Sequence, residues 1–285
     1  MSDFGGAIKR SLSYELAIIG VPFDEKSSYL KGPAAGPAAI RESSSGRARN
    51  PETELGIDLE RDTVLVDLGD VDTSGDVDKT FRGIEAAVGA VLKKKARPII
   101  LGGDHSISYP ALKAMARSYR PLDILHFDAH PDLYDNLYGD RLSHACPFAR
   151  ILEDGLAESL VQVGVRAATA DQRATARRYG VRMVEMRDFR DELVLSFKNP
   201  LYISFDLDSL DPAFAPGVSH QEAGGLTTRQ VIDLIHRLRA RVVGFDVVEL
   251  NPARDPSGIT ASAAVKIIKE VAGIMIGKGE TARRK

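Results

Sequence analysis

With 285 residues, 44% of them hydrophobic, the chain can bury a large core, and 38 Lys and Arg against 40 Asp and Glu leave a formal charge of -2. So nearly neutral a chain offers no global basic field to nucleic acid or an anionic membrane, which points to a small-molecule partner. No apolar run approaches the ~18 residues of a membrane span, the opening "MSDFGGAIKRSLSYE" lacks the apolar core of a signal peptide, and the lone Cys146 excludes an internal disulfide or a thiolate-rich metal site, so the cytoplasm is the expected compartment.

In chain order, eight short apolar, β-branched runs read as strands: "ELAIIG" (15–20), "TVLVDL" (63–68), "RPIILGGD" (97–104), "LDILHFDAH" (122–130), "LVQVGVR" (160–166), "VRMVEM" (181–186), "PLYISFDLD" (200–208) and "RVVGFDVVEL" (241–250). Helix-length amphipathic stretches separate most of them, among them "DVDKTFRGIEAAVGAVLKKKA" and "TTRQVIDLIHRLRA". Near-continuous apolar strands alternating with helices predict an α/β fold in which a mostly parallel sheet is covered on both faces. No linker or repeat divides the chain, so one domain over 1–285 is expected, with a polar loop at 42–56 and a frayed basic tail at 277–285.

The unusual polar residues fall where a parallel sheet presents its ligands, at the carboxyl ends of strands. His105 follows "IILGGD", Asp128, His130 and Asp132 follow "ILHF", Asp206 and Asp208 end "LYISFDLD", and Glu249 ends "FDVVEL". In an extended chain residues two apart share a face, so 128, 130 and 132 are expected to converge. Such a cluster repels itself unless a cation offsets its charge. His105, Asp128, His130, Asp132, Asp206 and Asp208 exceed the needs of one four-coordinate zinc ion and suit two divalent ions with bridging carboxylates. Oxygen and nitrogen donors favour Mn²⁺, although raw affinity ranks Ni²⁺ and Zn²⁺ higher.

Each element has a plainer reading. An Asp at a strand end, such as Asp104 or Asp206, also caps the helix that follows. His126 shares parity with Asp128, and a supporting or core-packing role fits it as well as a direct role at the site. His236, on an amphipathic stretch, reads as a solvated surface residue.

The motifs "GGDHSISYP", "HFDAHPDLYD", "SHACPFAR", "SFDLDSLDPAFAPG" and "DVVELNPARDPSGITA" resemble, in order and spacing over roughly 15–272, those of the ureohydrolases, the arginases, agmatinases and relatives that cleave a guanidino group to urea and an amine. "DPAFAPGVSH" and "SHACPFARI" are most similar to the plant-type arginase branch. The resemblance implies a three-layer α/β/α sandwich with an eight-stranded sheet, and two Mn²⁺ per chain. His105, Asp128, Asp132 and Asp206 would hold one ion and His130, Asp128, Asp206 and Asp208 the other. It marks His144, Glu249 and Asp132 as catalytic, with His144 moving the proton to the departing amine and Glu249 fixing the guanidinium plane. It also implies a homotrimer or homohexamer.

The substrate stays open between arginine, agmatine and another guanidino acid such as guanidinobutyrate. Thr169 stands where animal-type arginases carry an Asp for the substrate's α-amino group, and "LYDNLYGDRLS" lacks their polar serine and threonine run. Asp135, Asn136, Asp140, Arg141 and His220 are the candidates for the pocket mouth; Arg141 would receive a carboxylate, and the Asp residues a second cation. Two rivals remain, a deacetylase-like amide hydrolase with one zinc and a non-catalytic metalloprotein. The complete ligand set with Glu249 and His144 speaks against both.

Overall fold

The computed structural model describes residues 3–5, 7, 11, 13–45 and 50–277. All eight apolar runs become strands of one sheet: β1 (Leu16–Gly20), β2 (Leu65–Asp70), β3 (Arg97–Leu101), β4 (Asp123–Phe127), β5 (Ser159–Val165), β6 (Arg182–Glu185), β7 (Ser196–Asp206) and β8 (Arg239–Val248). Every strand pairing is parallel, in the order β2-β1-β3-β8-β7-β4-β5-β6. The last two strands made therefore lie at the centre, between β3 and β4. Their insertion brings four chemically loaded strand ends side by side.

Among the described residues, seven α-helices cover the sheet: α1 (Gly36–Ser44), α2 (Val77–Lys93), α3 (Ser108–Ser118), α4 (Pro147–Glu153), α5 (Ala170–Tyr179), α6 (Thr228–Arg237) and α7 (Ile259–Ile276). Strand residues divide between the faces with period two, as alternating side chains must. Leu16, Ile18, Leu125 and Phe127 pack with Ile40 of α1, Leu234 of α6 and Ile267 of α7. Ala17, Ile19 and Ile124 pack instead with Ile84 of α2, Leu112 of α3 and Phe148 of α4. Each fully buried Leu, Ile or Phe among them is worth about 1.5–3 kcal/mol. This is the expected three-layer sandwich.

Helix starts follow their capping residues. Asp76 accepts the Lys79 N–H at 2.7 Å to open α2, while Thr169 with Gln172 and Thr227 with Gln230 form reciprocal capping boxes on α5 and α6. Thr169 is thus committed to a helix end.

Two expectations need adjustment, and one buried ion pair was unforeseen. Residues 42–44 close α1 rather than opening a loop, because Ile40 and Arg41 are buried beneath them; residues 46–49 of that segment, like 278–285 of the expected frayed tail, lie outside the described residues. His236 is no solvated surface residue: its Nε2 lies 2.8 Å from the Glu270 carboxylate, which is itself buried. Arg41 on α1 is fully buried with its guanidinium across Asp67 of β2, at 2.8 and 2.9 Å, and its third nitrogen 2.5 Å from Asp70. Nothing in the sequence pattern singled out that pair.

Candidate metal centre and substrate cavity

The carboxyl ends of β3, β8, β7 and β4, adjacent in the sheet, supply His105, Glu249, Asp206 with Asp208, and Asp128 to Asp132 respectively. Local backbone chemistry aims each of them. Past β3 the chain crosses the loop that follows β1 so closely that a Cβ on Gly103 would lie 1.8 Å from the Phe23 carbonyl oxygen, which explains the glycine before "DHS". Asp104 then caps the short turn that carries His105, accepting the Ser106 N–H at 3.1 Å.

Asp128, His130 and Asp132 do converge, but not as one face of a strand. β4 ends at Phe127. Asp128 Oδ1 accepts the His130 N–H at 2.6 Å, and Asp132 adopts a left-handed backbone with φ of 52°. A turn therefore does what the alternation of an extended chain was expected to do. Asp206 folds the end of β7 in the same manner, accepting the Asp208 N–H at 2.7 Å. Glu249 also has a left-handed φ, 65°. Non-glycine residues held there carry strain of order 1 kcal/mol or more, and such strain gathers at functional sites.

The side chains meet in two groups. His105 Nδ1 stands 3.1 Å from Asp128 Oδ2, 3.1 Å from Asp132 Oδ2 and 3.2 Å from Asp206 Oδ2. His130 Nδ1 stands 3.4 Å from Asp128 Oδ1 and 3.0 Å from Asp208 Oδ2. Asp128 thus offers one oxygen to each group. Asp206 reaches the first group; its other oxygen is occupied by the Asp208 N–H.

These donors fit divalent metal ions. His105 Nδ1 is buried without a hydrogen-bond partner. Donor atoms about 2.1 Å from a shared ion and roughly at right angles would stand about 3 Å apart, as these do. Burial opposes a charge on His105, yet the nearby carboxylates of Asp128, Asp132 and Asp206 outweigh it and hold the imidazole well above its ordinary range. At His130, too, burial is outweighed, there by the Asp208 charge and by Asp128. The field at both nitrogens favours positive charge. Without a cation the carboxylates cannot all ionise: burial and the neighbouring Asp208 and Asp128 charges drive Asp206 well up, and burial with Asp128 drives Asp208 to about 6.

A layer of hydrogen bonds orients the candidate ligands, as a metal-binding histidine would require. His105 Nε2 lies 3.0 Å from Ser204 Oγ, whose hydroxyl donates to buried Asp246 at 2.6 Å; Ser108 and Tyr202 donate to the same carboxylate, each at 2.8 Å. His126 belongs to this layer. Its Nε2 lies 2.8 Å from Asp128 Oδ2, and the Gln162 amide donates to its Nδ1 at 2.9 Å, so both ring nitrogens are occupied. Burial lowers its pKa, in keeping with a neutral ring.

Beside the cluster lies a cavity of about 190 Å³ whose walls include His130, Asp132, His144, His220 and Glu249. Glu249 Oε1 accepts the His105 backbone N–H at 3.0 Å and faces His144 Nδ1 at 2.7 Å. Glu249 Oε2 is buried with no hydrogen-bond partner. Burial would raise this carboxyl, but the His144 charge and hydrogen bond hold it below its ordinary value. His144, in turn, is opposed by burial and raised to about 9 by the Glu249 charge. Its Nε2 meets Ser28, with the hydroxyl at 2.8 Å and the N–H at 3.2 Å.

The expected pocket mouth is corrected in part. His220 lines the cavity, its ring 5.4 Å from that of His144. Asp135, Asn136 and Arg141 do not line it: Arg141 pairs with Asp135 at 2.5 Å and with Glu153 at 2.8 Å, and Asn136 is exposed beside them. Arg150 and Glu153 on α4 draw this loop outward, and Asp140 is held by Lys26 at 2.8 Å. Ser28, Gln172, Tyr134 and Leu137 line the cavity without having been singled out. Asp246 did carry a signal, a lone carboxylate inside the apolar "VVGFDVV"; Ser28, one of two serines in an irregular loop, carried none.

A family model described as the arginase family matches residues 14–273. Arginase 1, mitochondrial, from Arabidopsis thaliana is 45% identical over 94% of this chain and 82% of that protein. The solved arginase from Medicago truncatula superposes with a TM-score of 0.87 at 42% identity, over 92% of this chain and 88% of that one. The human guanidino acid hydrolase, mitochondrial, is 36% identical over 90% of this chain and 77% of that protein. These names overturn the cytoplasmic expectation, since the relatives from Arabidopsis thaliana and Oryza sativa are named mitochondrial or chloroplastic/mitochondrial. Low cysteine content separates reducing from oxidising compartments and does not choose among reducing ones.

Proposed function

We propose that this chain, which belongs to the arginase family and is a ureohydrolase acting on guanidino groups, binds two Mn²⁺ ions and hydrolyses arginine or agmatine to urea plus ornithine or putrescine. The observation that carries the reading is the unpartnered, buried Glu249 Oε2 facing a cavity whose other wall is the His and Asp cluster. An ionised carboxylate in that position suits the planar N–H pair of a guanidinium.

His105, Asp128, Asp132 and Asp206 would hold one ion, and His130, Asp128, Asp206 and Asp208 the other; bound there, the pair supplies Lewis-acid activation of water. Glu249 fixes the guanidinium so that its central carbon faces the cluster. Its tie to the His105 backbone keeps the clamp in register with the ligands. His144, on the Glu249 side of the cavity, protonates the amine nitrogen as its C–N bond breaks, since an unprotonated alkylamide is a poor leaving group. The water oxygen becomes the oxygen of urea.

The test is urea release from arginine, agmatine, guanidinobutyrate and guanidinopropionate by Mn²⁺-loaded protein. Arginine or agmatine should give the highest kcat/KM. No urea from any of the four, with folded and metal-loaded protein, overturns the reading. We also propose that residues 1–285 form one domain that assembles as a homotrimer or homohexamer; a stable monomer by light scattering at micromolar concentration contradicts the assembly.

A further inference from the structure

His144 is buried, yet one of its ring nitrogens is in contact with solvent-exposed protein. Its side chain is held from two directions: Nδ1 lies 2.7 Å from Glu249 Oε1, and Nε2 lies 2.8 Å from Ser28 Oγ and 3.2 Å from Ser28 N. The loop bearing Ser28 is itself clasped to this region, because the Lys26 carbonyl accepts the His144 N–H at 3.1 Å and the Lys26 N–H donates to Asp104 at 2.9 Å. Ser28 is exposed, in contrast to His144 at 8%.

A backbone N–H can only donate, so Ser28 N–H facing Nε2 requires a lone pair there and puts the ring proton on Nδ1, toward Glu249. That places the transferable proton on the side where the guanidinium would be held. It also creates a difficulty, for a neutral imidazole cannot lose its Nδ1 proton without gaining one at Nε2. The only side-chain group facing Nε2 in these hydrogen bonds is the Ser28 hydroxyl.

We propose that Ser28 is a positioning residue for the proton donor, its N–H fixing the His144 tautomer and its hydroxyl passing protons between solvent and Nε2. As the C–N bond breaks, the amine nitrogen takes the proton from Nδ1, Nε2 takes one from Ser28 Oγ, and water at the exposed face restores the hydroxyl. The ring is left with its proton on Nε2 and Nδ1 bare, a tautomer that deprives the Ser28 N–H of its acceptor and so reverts. When the next attacking water loses a proton to Nδ1, the same chain runs outward through Nε2 and Ser28 to solvent. One proton enters and one leaves per turnover, so the cycle closes.

The charges around the ring agree with a neutral imidazole during turnover. In the free protein the Glu249 carboxylate, with Asp104 and Asp132 behind it, draws an extra proton to His144 against burial, while Ser28 N–H opposes that proton and His220 faces the ring. A guanidinium bound to Glu249 would take up the largest of these attractions. Burial and Ser28 would then hold the ring neutral.

The proposal rests on the ureohydrolase reading, and the experiment separates the two. Ser28→Ala, Ser28→Thr and the unaltered protein are compared on a substrate from which the unaltered protein releases urea, with metal content measured alongside. Ser28→Ala should lower kcat by roughly 10²-fold, the lower end of what a positioned proton donor supplies, with KM within about twofold and unchanged metal content, as for a group acting on proton transfer alone. Ser28→Thr, which keeps the hydroxyl, should recover most of the lost kcat. In H₂O/D₂O mixtures the rate of the unaltered protein should depend on deuterium fraction with a curvature that signals several moving protons, and Ser28→Ala should lose it. A Ser28→Ala protein with kcat within about twofold of the unaltered one, or a Ser28→Thr protein no faster than Ser28→Ala, overturns the relay while leaving the ureohydrolase reading in place.

Discussion

The backbone N–H of His105 donates to Glu249 Oε1 at 3.0 Å, so a candidate metal ligand at the end of β3 and the candidate guanidinium clamp at the end of β8 are joined by one hydrogen bond. Glu249→Gln preserves the volume and an acceptor for that N–H but removes the charge. Metal content should be retained. kcat/KM should fall by about 10- to 100-fold, as the loss of a charged hydrogen bond worth about 1.5–3 kcal/mol implies. Steady-state kinetics beside elemental analysis checks this, and an unchanged kcat/KM removes Glu249 from the mechanism.

His144→Ala should keep both metals, leave KM little changed and lower kcat by roughly 10² to 10⁴, the range of general acid catalysis. A loss confined to KM would show that the ring binds substrate and moves no proton.

Metal stoichiometry tests the cluster directly. Elemental analysis of Mn²⁺-loaded protein should return about two ions per chain. Asp128 gives one oxygen to each group, so Asp128→Asn should weaken both ions, whereas His105→Ala should weaken mainly one. Ser204→Ala, which touches no metal, should still reduce affinity by about 10- to 100-fold through the freed His105 ring. An unaltered affinity would show that His105 is held without Ser204.

The buried Arg41–Asp67 pair predicts a stability effect away from the site. Arg41→Met leaves Asp67 and its Phe4 N–H contact in a dry environment without the guanidinium, and should cost about 3–5 kcal/mol in chemical denaturation. The pH sign follows from Asp67, which burial would raise but which the Arg41 hydrogen bonds hold below the ordinary carboxylate range. A depressed folded-state pKa gives stability that is present above the unfolded value near 4 and lost as pH falls through the folded one. Acid unfolding should therefore lose this contribution below about pH 4, and Arg41→Met should flatten stability against pH in that window.

Much of this was legible in the sequence because burial and chemistry disagree there. A run such as "ILHF" ending in Asp128, or "LYISF" ending in Asp206 and Asp208, puts charge where packing alone would not, and that conflict marks a site. The arrival of β7 and β8 between β3 and β4 had no such mark, since strand order depends on long-range pairing. Asp135 and Arg141 misled for a related reason. Their polarity was visible, but their partners Arg150 and Glu153 lie on α4, and which way a loop turns is decided by contacts that spacing does not encode. Ser28 carries no charge and ends no apolar run, so nothing betrayed it.

The central position of β7 and β8 also orders events in time. During synthesis, β3 and β4 emerge with His105, Asp128, His130 and Asp132, while Asp206, Asp208 and Glu249 are still to come. Until then the sheet has a gap two strands wide, and the inner edges of β3 and β4 present unpaired backbone that can capture other chains. A chain that stops before residue 196 would carry four of the six candidate metal ligands and two sticky edges. Closure of the sheet and completion of the candidate metal centre are thus a single late event, so a shortened product of this kind should be found in aggregates instead of as a partly active enzyme.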